Sequence, residues 1–231
     1  MTILVVVSHP DDEVLGVGGT GAVLAEQGIS VRACILSGNV IARTLRPDDH
    51  ELRENIHNAR KAVGFGEPIL GDFPNIRFNT VDHISLVQFI ESAIVETQAH
   101  TIFTHHPSDL NNDHRQTSLA CQAAARLFQR RSDVPRLRAL FYMEILSATD
   151  WAFPGQNPFI PDTFFEIGEK ALGKKIDAVS AYCNVMRDFP HPRSNTILTG
   201  LAAYRGGQSG TFYAEAFQTA FRCASSSEFL G

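Results

Sequence analysis

Five consecutive apolar residues, Ile3-Leu4-Val5-Val6-Val7, run without a break into Ser8-His9-Pro10-Asp11-Asp12-Glu13. A short run that is rich in β-branched residues and apolar at every position is how a strand reads when both of its faces are covered. Strands of that kind belong to parallel sheets with helices on both sides, so this opening restricts the chain to a layered α/β architecture. The next segments keep to the pattern. Gly16-Val17-Gly18-Gly19-Thr20-Gly21 leads into a helix that runs to Gln27, with Gly28 suited to its C-terminal cap. Val31 to Leu36 reads as a second buried strand. Glu51 to Val63 reads as a helix with Leu52, Ile56, Ala59 and Val63 on one face and Gly64 at its end. Pro68 to Leu70 is a third strand, Leu86 to Thr97 a helix, Thr101 to Thr104 a strand and Gln116 to Gln129 a helix. The last third is less regular. It offers a strand over Leu137 to Ile145, a Pro-rich loop over Pro154 to Pro161 and a helical pattern from Ile167 to Met186. Pro190-His191-Pro192-Arg193-Ser194 breaks that pattern, and a final helix from Asn195 to Tyr204 leads to Arg205-Gly206-Gly207.

A chain of 231 residues is sized for one domain, 1–231, and buries enough apolar surface to need no disulfides. Its formal charge of -5 excludes the basic footprint of a nucleic-acid binder. The nearest to a basic stripe, Arg126, Arg130, Arg131, Arg136 and Arg138, reads as a solvated face. Cys34, Cys121, Cys183 and Cys223 form no C-x-x-C pair, which argues against a thiolate zinc site and fits free thiols in a reducing compartment. No apolar run approaches the roughly 20 residues of a membrane span, and the N-terminus lacks the basic region of a signal peptide. The expected location is the cytoplasm.

Two polar loops concentrate the chemistry, and each comes directly after a strand. The first carries His9, Asp11, Asp12 and Glu13; the second carries His105, His106, Asp109, Asp113 and His114. In open parallel sheets, ligands sit beyond the carboxyl ends of the strands, so the two loops can meet. A catalytic zinc takes about three ligands from His and carboxylate and keeps one position open. Two histidines and one aspartate from these loops meet that need. The adjacent pair Asp11-Asp12 also offers a second carboxylate for taking a proton from water.

Ser8-His9-Pro10-Asp11-Asp12-Glu13, with Gly18-Gly19 behind it, resembles the signature of the LmbE-like (PIG-L) deacetylases. Asn111-Asn112-Asp113-His114 resembles that family's second motif. Glu51-Leu52-Arg53, Phe73 to Phe78, Tyr142-Met143-Glu144, Pro190 to Ser194 and Tyr213 to Phe217 look like further family blocks. The resemblance implies a Rossmann-like three-layer sandwich with a mostly parallel sheet. It implies a metal-dependent hydrolase that removes N-acetyl groups from N-acetylglucosamine-type conjugates. It implies metal ligation by His9, Asp12 and His114, with zinc (Zn2+) as the metal and iron (Fe2+) as the alternative, and it makes Asp11 the general base. A homo-oligomer, trimer or hexamer, is also implied. The sequence departs from the family at Asn111, where some members carry a histidine thought to polarise the carbonyl or protonate the leaving group. An amide can donate to an oxyanion but cannot act as a general acid. His191 is therefore the candidate acid, with His105 and His106 as competitors.

Glu13 and Asp113 read as carboxylates that orient the ligands or hold the loops. Arg53 and Arg77 read equally as forks for a substrate's phosphate or hydroxyls and as surface ion pairs. Asp150-Trp151 reads as an aromatic sugar platform or as a turn beside the core. Gly16, Gly18 and Gly19 read as close packing of helix on strand, because G-x-G-G is not a dinucleotide fingerprint. The partner expected is a small N-acylated amino sugar. The alternatives are an amidase on a non-sugar N-acyl substrate and a non-catalytic metal- or sugar-binding protein.

Overall fold

The computed structural model describes residues 2–39, 47–153, 155 and 157–224, so positions 154 and 156 of the Pro-rich loop lie outside the described residues. The first strand, β1 (Thr2–Val7), is buried from Ile3 onward. It feeds helix α1 (Asp12–Glu26), after which come β2 (Ser30–Ile35), α2 (Asp49–Val63), β3 (Ile69–Leu70), α3 (His83–Thr97), β4 (Thr101–His105) and α4 (Asn112–Ala124). The remainder holds β5 (Ala139–Met143), β6 (Thr163–Glu166), α5 (Gly168–Ser180), α6 (Asn195–Ser209) and β7 (Ala214–Arg222). The seven strands form one sheet in the order β3-β2-β1-β4-β5-β7-β6. Strands β1 to β5 pair in parallel, and β7 pairs antiparallel with both β5 and β6. This is the α/β class expected.

Alternation along the buried strands divides the core in two. Ile3, Val5 and Val7 face a cluster with α1, α2 and α5, while Leu4 and Val6 face one with α3 and α4. Helix α2 has the local signals that define its ends. Asp48 accepts from the backbone N–H of His50 and Glu51, and Gly64 closes the helix at φ 78°. Gly16 allows α1 to lie directly on β5: a Cβ there would meet Met143 Sδ at 2.7 Å and Ile145 Cδ1 at 2.8 Å.

Several boundaries differ from the sequence reading. Helix α4 begins at Asn112, not Gln116, because Asn111 caps it by accepting from Asp113 N at 2.9 Å. Asp113 and His114 therefore sit on a helical first turn, not in a loop. Helix α5 stops at Ser180, short of Met186, and α6 runs through Arg205-Gly206-Gly207 to Ser209. Strands β6 and β7 have no counterpart in the sequence reading. In β7 the buried position Glu215 breaks the apolar pattern; it pairs with Lys175 at 2.6 Å and accepts from Gly19 N and Thr20 N of α1. Those two N–H groups come just after Val17, where α1 leaves helical geometry.

The strand order reverses between β1 and β4. From β1 the chain steps outward to β2 and β3; from β4 it steps the other way to β5. A crevice opens at such a switch point, beyond the carboxyl ends of the two strands. The two polar loops leave from these ends.

Candidate active site

A cleft of about 350 Å³ opens at the switch point, with His9, Asp11, Asp12 and His114 in its wall. Asp12 is at its centre. Its Oδ2 lies 3.4 Å from His9 Nδ1 and 3.2 Å from His114 Nε2. Each imidazole has its far nitrogen against another carboxylate. His9 Nε2 is 3.0 Å from Asp113 Oδ2, and His114 Nδ1 is 3.2 Å from Asp109 Oδ1. A ring that donates its far N–H leaves a lone pair on the near nitrogen. The near nitrogens of both rings and the Asp12 carboxylate converge on one point and favour a positive charge there. Burial works against charge on His114, yet Asp12 and Asp109 raise its pKa to about 10, which expresses the same preference. The spacings of 3.2 and 3.4 Å match the roughly 3.3 Å edge of a tetrahedron with bonds of about 2.0 Å, the zinc geometry. His9, Asp12 and His114 therefore fit a divalent metal.

The carboxylates behind the ligands are tied to the scaffold. Asp113 also accepts from Ile76 N at 2.6 Å and Phe78 N at 3.0 Å, which pins the 75–78 segment against the cleft. Asp109 accepts from Asn111 N at 2.8 Å and from Thr149 Oγ1 at 2.8 Å. The sequence reading assigns Asp109 no role of its own. Its signal is present, five residues before His114 in a capped turn, but Thr149 is remote in sequence.

Asp11 is buried at φ 109°, a conformation that costs a non-glycine residue about 1–3 kcal/mol. Glu13 Oε2 accepts from Asp11 N at 3.0 Å, and Tyr182 donates to Glu13 Oε1 at 2.5 Å. Burial pushes the Glu13 carboxyl up to about 8. Arg193 Nη1 donates to Asp11 Oδ2 at 3.1 Å. From sequence Arg193 reads as an interface or structural residue; the fold brings it across from the 190–194 segment to Asp11.

Asn111 lines the cleft. Its Oδ1 is taken by Asp113 N, which leaves the amide NH2 as what it offers a ligand. His191 is not in the cleft wall, but it packs edge-on against Trp151, which is, at 5.6 Å. His191 Nδ1 accepts from Arg193 N at 3.0 Å, so the neutral ring carries its proton on Nε2. Burial, together with Arg193 and Arg187, lowers its pKa. The competing histidines lie elsewhere. His105 is buried under the ligands, stacked on His114 at 3.8 Å, with Nε2 accepting from Ser8 N; burial and His114 take its pKa down to about 3. His106 faces a separate cavity beside Ser108 and Thr149. Arg53 is exposed on α2, with Nε donating to Asp49 O at 3.2 Å, and Arg77 is exposed beside Phe78. Neither lines the cleft.

A family profile described as PIG-L, GlcNAc-PI de-N-acetylase, matches residues 4–125. The chain belongs to this family. The match spans both polar motifs and ends just past α4. A comparison with curated proteins finds no match. Solved structures agree over nearly the whole chain. A conserved protein from Thermus thermophilus is 25% identical, with 96% of each chain covered and a TM-score of 0.76. An N,N'-diacetylchitobiose deacetylase from Pyrococcus horikoshii is 15% identical, covering 94% of this chain and 83% of that one, with a TM-score of 0.75. A 4-carboxy-2-hydroxymuconate hydratase from Pseudomonas putida is 22% identical, covering 97% and 98%, with a TM-score of 0.77. The last two share the fold while their names give different reactions, so a reaction has to be argued from the site and not from the fold.

Proposed function

We propose that this chain is a metal-dependent N-deacetylase acting on an N-acetylglucosamine-type conjugate, with zinc as the metal and iron(II) as the alternative. One observation carries the reading: His9, Asp12 and His114 converge on a point that suits a cation, and Asp11 stands beside them as a second carboxylate in the cleft wall. A binding module has no use for that second carboxylate. The family match supports the amide chemistry. Trp151, 47% exposed in the cleft wall, supports a sugar, because a flat aromatic face suits the apolar face of a pyranose.

His9, Asp12 and His114 would hold the metal. When bound, a divalent ion supplies Lewis acidity toward the acyl oxygen and acidifies water. Asp11 takes the proton of the attacking water as its oxygen bonds to the amide carbon. The NH2 of Asn111 donates to the oxygen that becomes negative. The carbon–nitrogen bond then breaks, the proton passes to the leaving amine from Asp11 or from His191 Nε2, and acetate and the free amino sugar leave. Arg53 and Arg77, outside the cleft wall, are proposed for parts of a substrate that extend beyond it. The same reading takes 1–231 as one catalytic domain. It takes the chain as a cytoplasmic protein, in keeping with four free cysteines, and as a homotrimer or hexamer, which sedimentation would test. Among the described residues no helix is long and apolar enough to cross a membrane.

Asp11→Asn tests the core of the mechanism. It should keep one equivalent of metal and lose about 10²- to 10⁴-fold in turnover, the range of a general base. A variant with near-parental turnover would remove Asp11 from the role.

A further inference from the structure

Arg193 is the one guanidinium or ammonium in the cleft wall among the described residues. Its side chain is 19% exposed and joins three segments. Nη1 donates to Asp11 Oδ2 at 3.1 Å, and Nε donates to Ser147 Oγ at 2.7 Å, with Leu146 O at 3.4 Å from the same nitrogen. Two of the residues it touches have backbones in the left-handed region without being glycine, Asp11 at φ 109° and Ser147 at φ 67°. Such conformations persist only where the surroundings fix them. The backbone of Arg193 has its own task, since its N–H donates to His191 Nδ1 at 3.0 Å.

A planar guanidinium fixes the direction of a carboxylate as well as its distance. Nη1 holds one oxygen of Asp11 while Nε is anchored on Ser147, so the carboxylate is tethered to a fixed guanidinium and the directions from which it can meet a water are restricted. The same side chain holds Ser147, four residues before Trp151, which stands in the cleft wall and packs on His191. We propose that Arg193 is the positioning residue for Asp11, and that it sets base, His191 and Trp151 in one register. Arg193 acts through these groups, so its loss should lower turnover far more than substrate affinity.

This inference rests on the reading of Asp11 as the base. The test uses the metal-loaded full chain and the variants Arg193→Ala, Arg193→Lys and Ser147→Ala. Turnover of an N-acetylglucosamine derivative is measured with and without added guanidinium ion. Trp151 is the single tryptophan, so emission reports on its turn alone. Arg193→Ala should lose about 10²-fold in kcat, as a misplaced catalytic group does, with KM changed less than about threefold. Guanidinium should restore at least about tenfold of that loss, with Arg193→Lys and Ser147→Ala between the parent and Arg193→Ala. Trp151 emission should shift in Arg193→Ala. A kcat within about threefold of the parent overturns the proposal. So does a loss that guanidinium leaves untouched and Lys does not lessen, which is what a purely structural tie would give. A parent without turnover on any N-acyl sugar would sink the functional reading instead. Trp151 emission then decides alone, and an unchanged spectrum in Arg193→Ala overturns the inference.

Discussion

Four side chains around one point define the candidate site, and each is held by a partner that sequence alone reveals unevenly. His9 leans on Asp113 and His114 on Asp109, and both carboxylates also accept backbone N–H groups. Asp113→Asn and Asp109→Asn should each weaken metal binding by about 10- to 100-fold, measured by competition with a chelator of known affinity. An affinity equal to the parent's in both would mean that the rings are oriented by packing alone. Asp113 is legible as a partner because it adjoins His114. Asp109 and Arg193 are not, because their contacts, Thr149 and Asp11, are brought near only by the folded chain. His191 is the residue on which the two routes for the leaving-group proton divide. If it is the acid, His191→Gln loses about 10²- to 10⁴-fold in kcat. A loss under about threefold assigns the proton's return to Asp11.

Elements position these residues by their ends and their closest approaches. Starting α4 at Asn112 puts His114 on a capped first turn, which is stiffer than the loop the polar run suggests. The polar residues are themselves the capping signal, so loop and helix start look alike in composition. Strands β1 and β4 are legible because they are buried almost throughout, and β2 is legible in spite of Arg32, whose side chain reaches out to Glu96. Strand β7 is hidden by Glu215, a buried charge explained only by the partners the fold brings to it, Lys175 and the backbone N–H groups of Gly19 and Thr20. Helix α1 is held against β5 by the absence of a side chain at Gly16. Gly16→Ala should destabilise the protein by about 1–3 kcal/mol through overpacking against Met143 and Ile145, read from the urea midpoint at unchanged slope. An unchanged midpoint would show that the Met143 side chain swings aside without cost.

At the scale of the whole molecule, strand order makes the site. Because the chain winds outward from β1 on one side and from β4 on the other, the loops after these strands share a crevice, and the family profile covers that half of the fold. The other half buttresses it: α5 and β7 reach α1 through the buried Lys175–Glu215 pair. Lys175→Met should cost about 3–5 kcal/mol, since it leaves a buried carboxylate without its cation. For a chain of this length that lowers the thermal midpoint by about 10 °C. A midpoint equal to the parent's would mean that the N–H groups of Gly19 and Thr20 hold Glu215 without the cation.

The most direct test of the central claim is acetate release from N-acetylglucosamine derivatives by the metal-loaded, chelated and remetallated protein. Release that stops on chelation and returns with zinc or iron(II) is the predicted result. Release that survives chelation, or none at all with one equivalent of metal bound, would contradict the account.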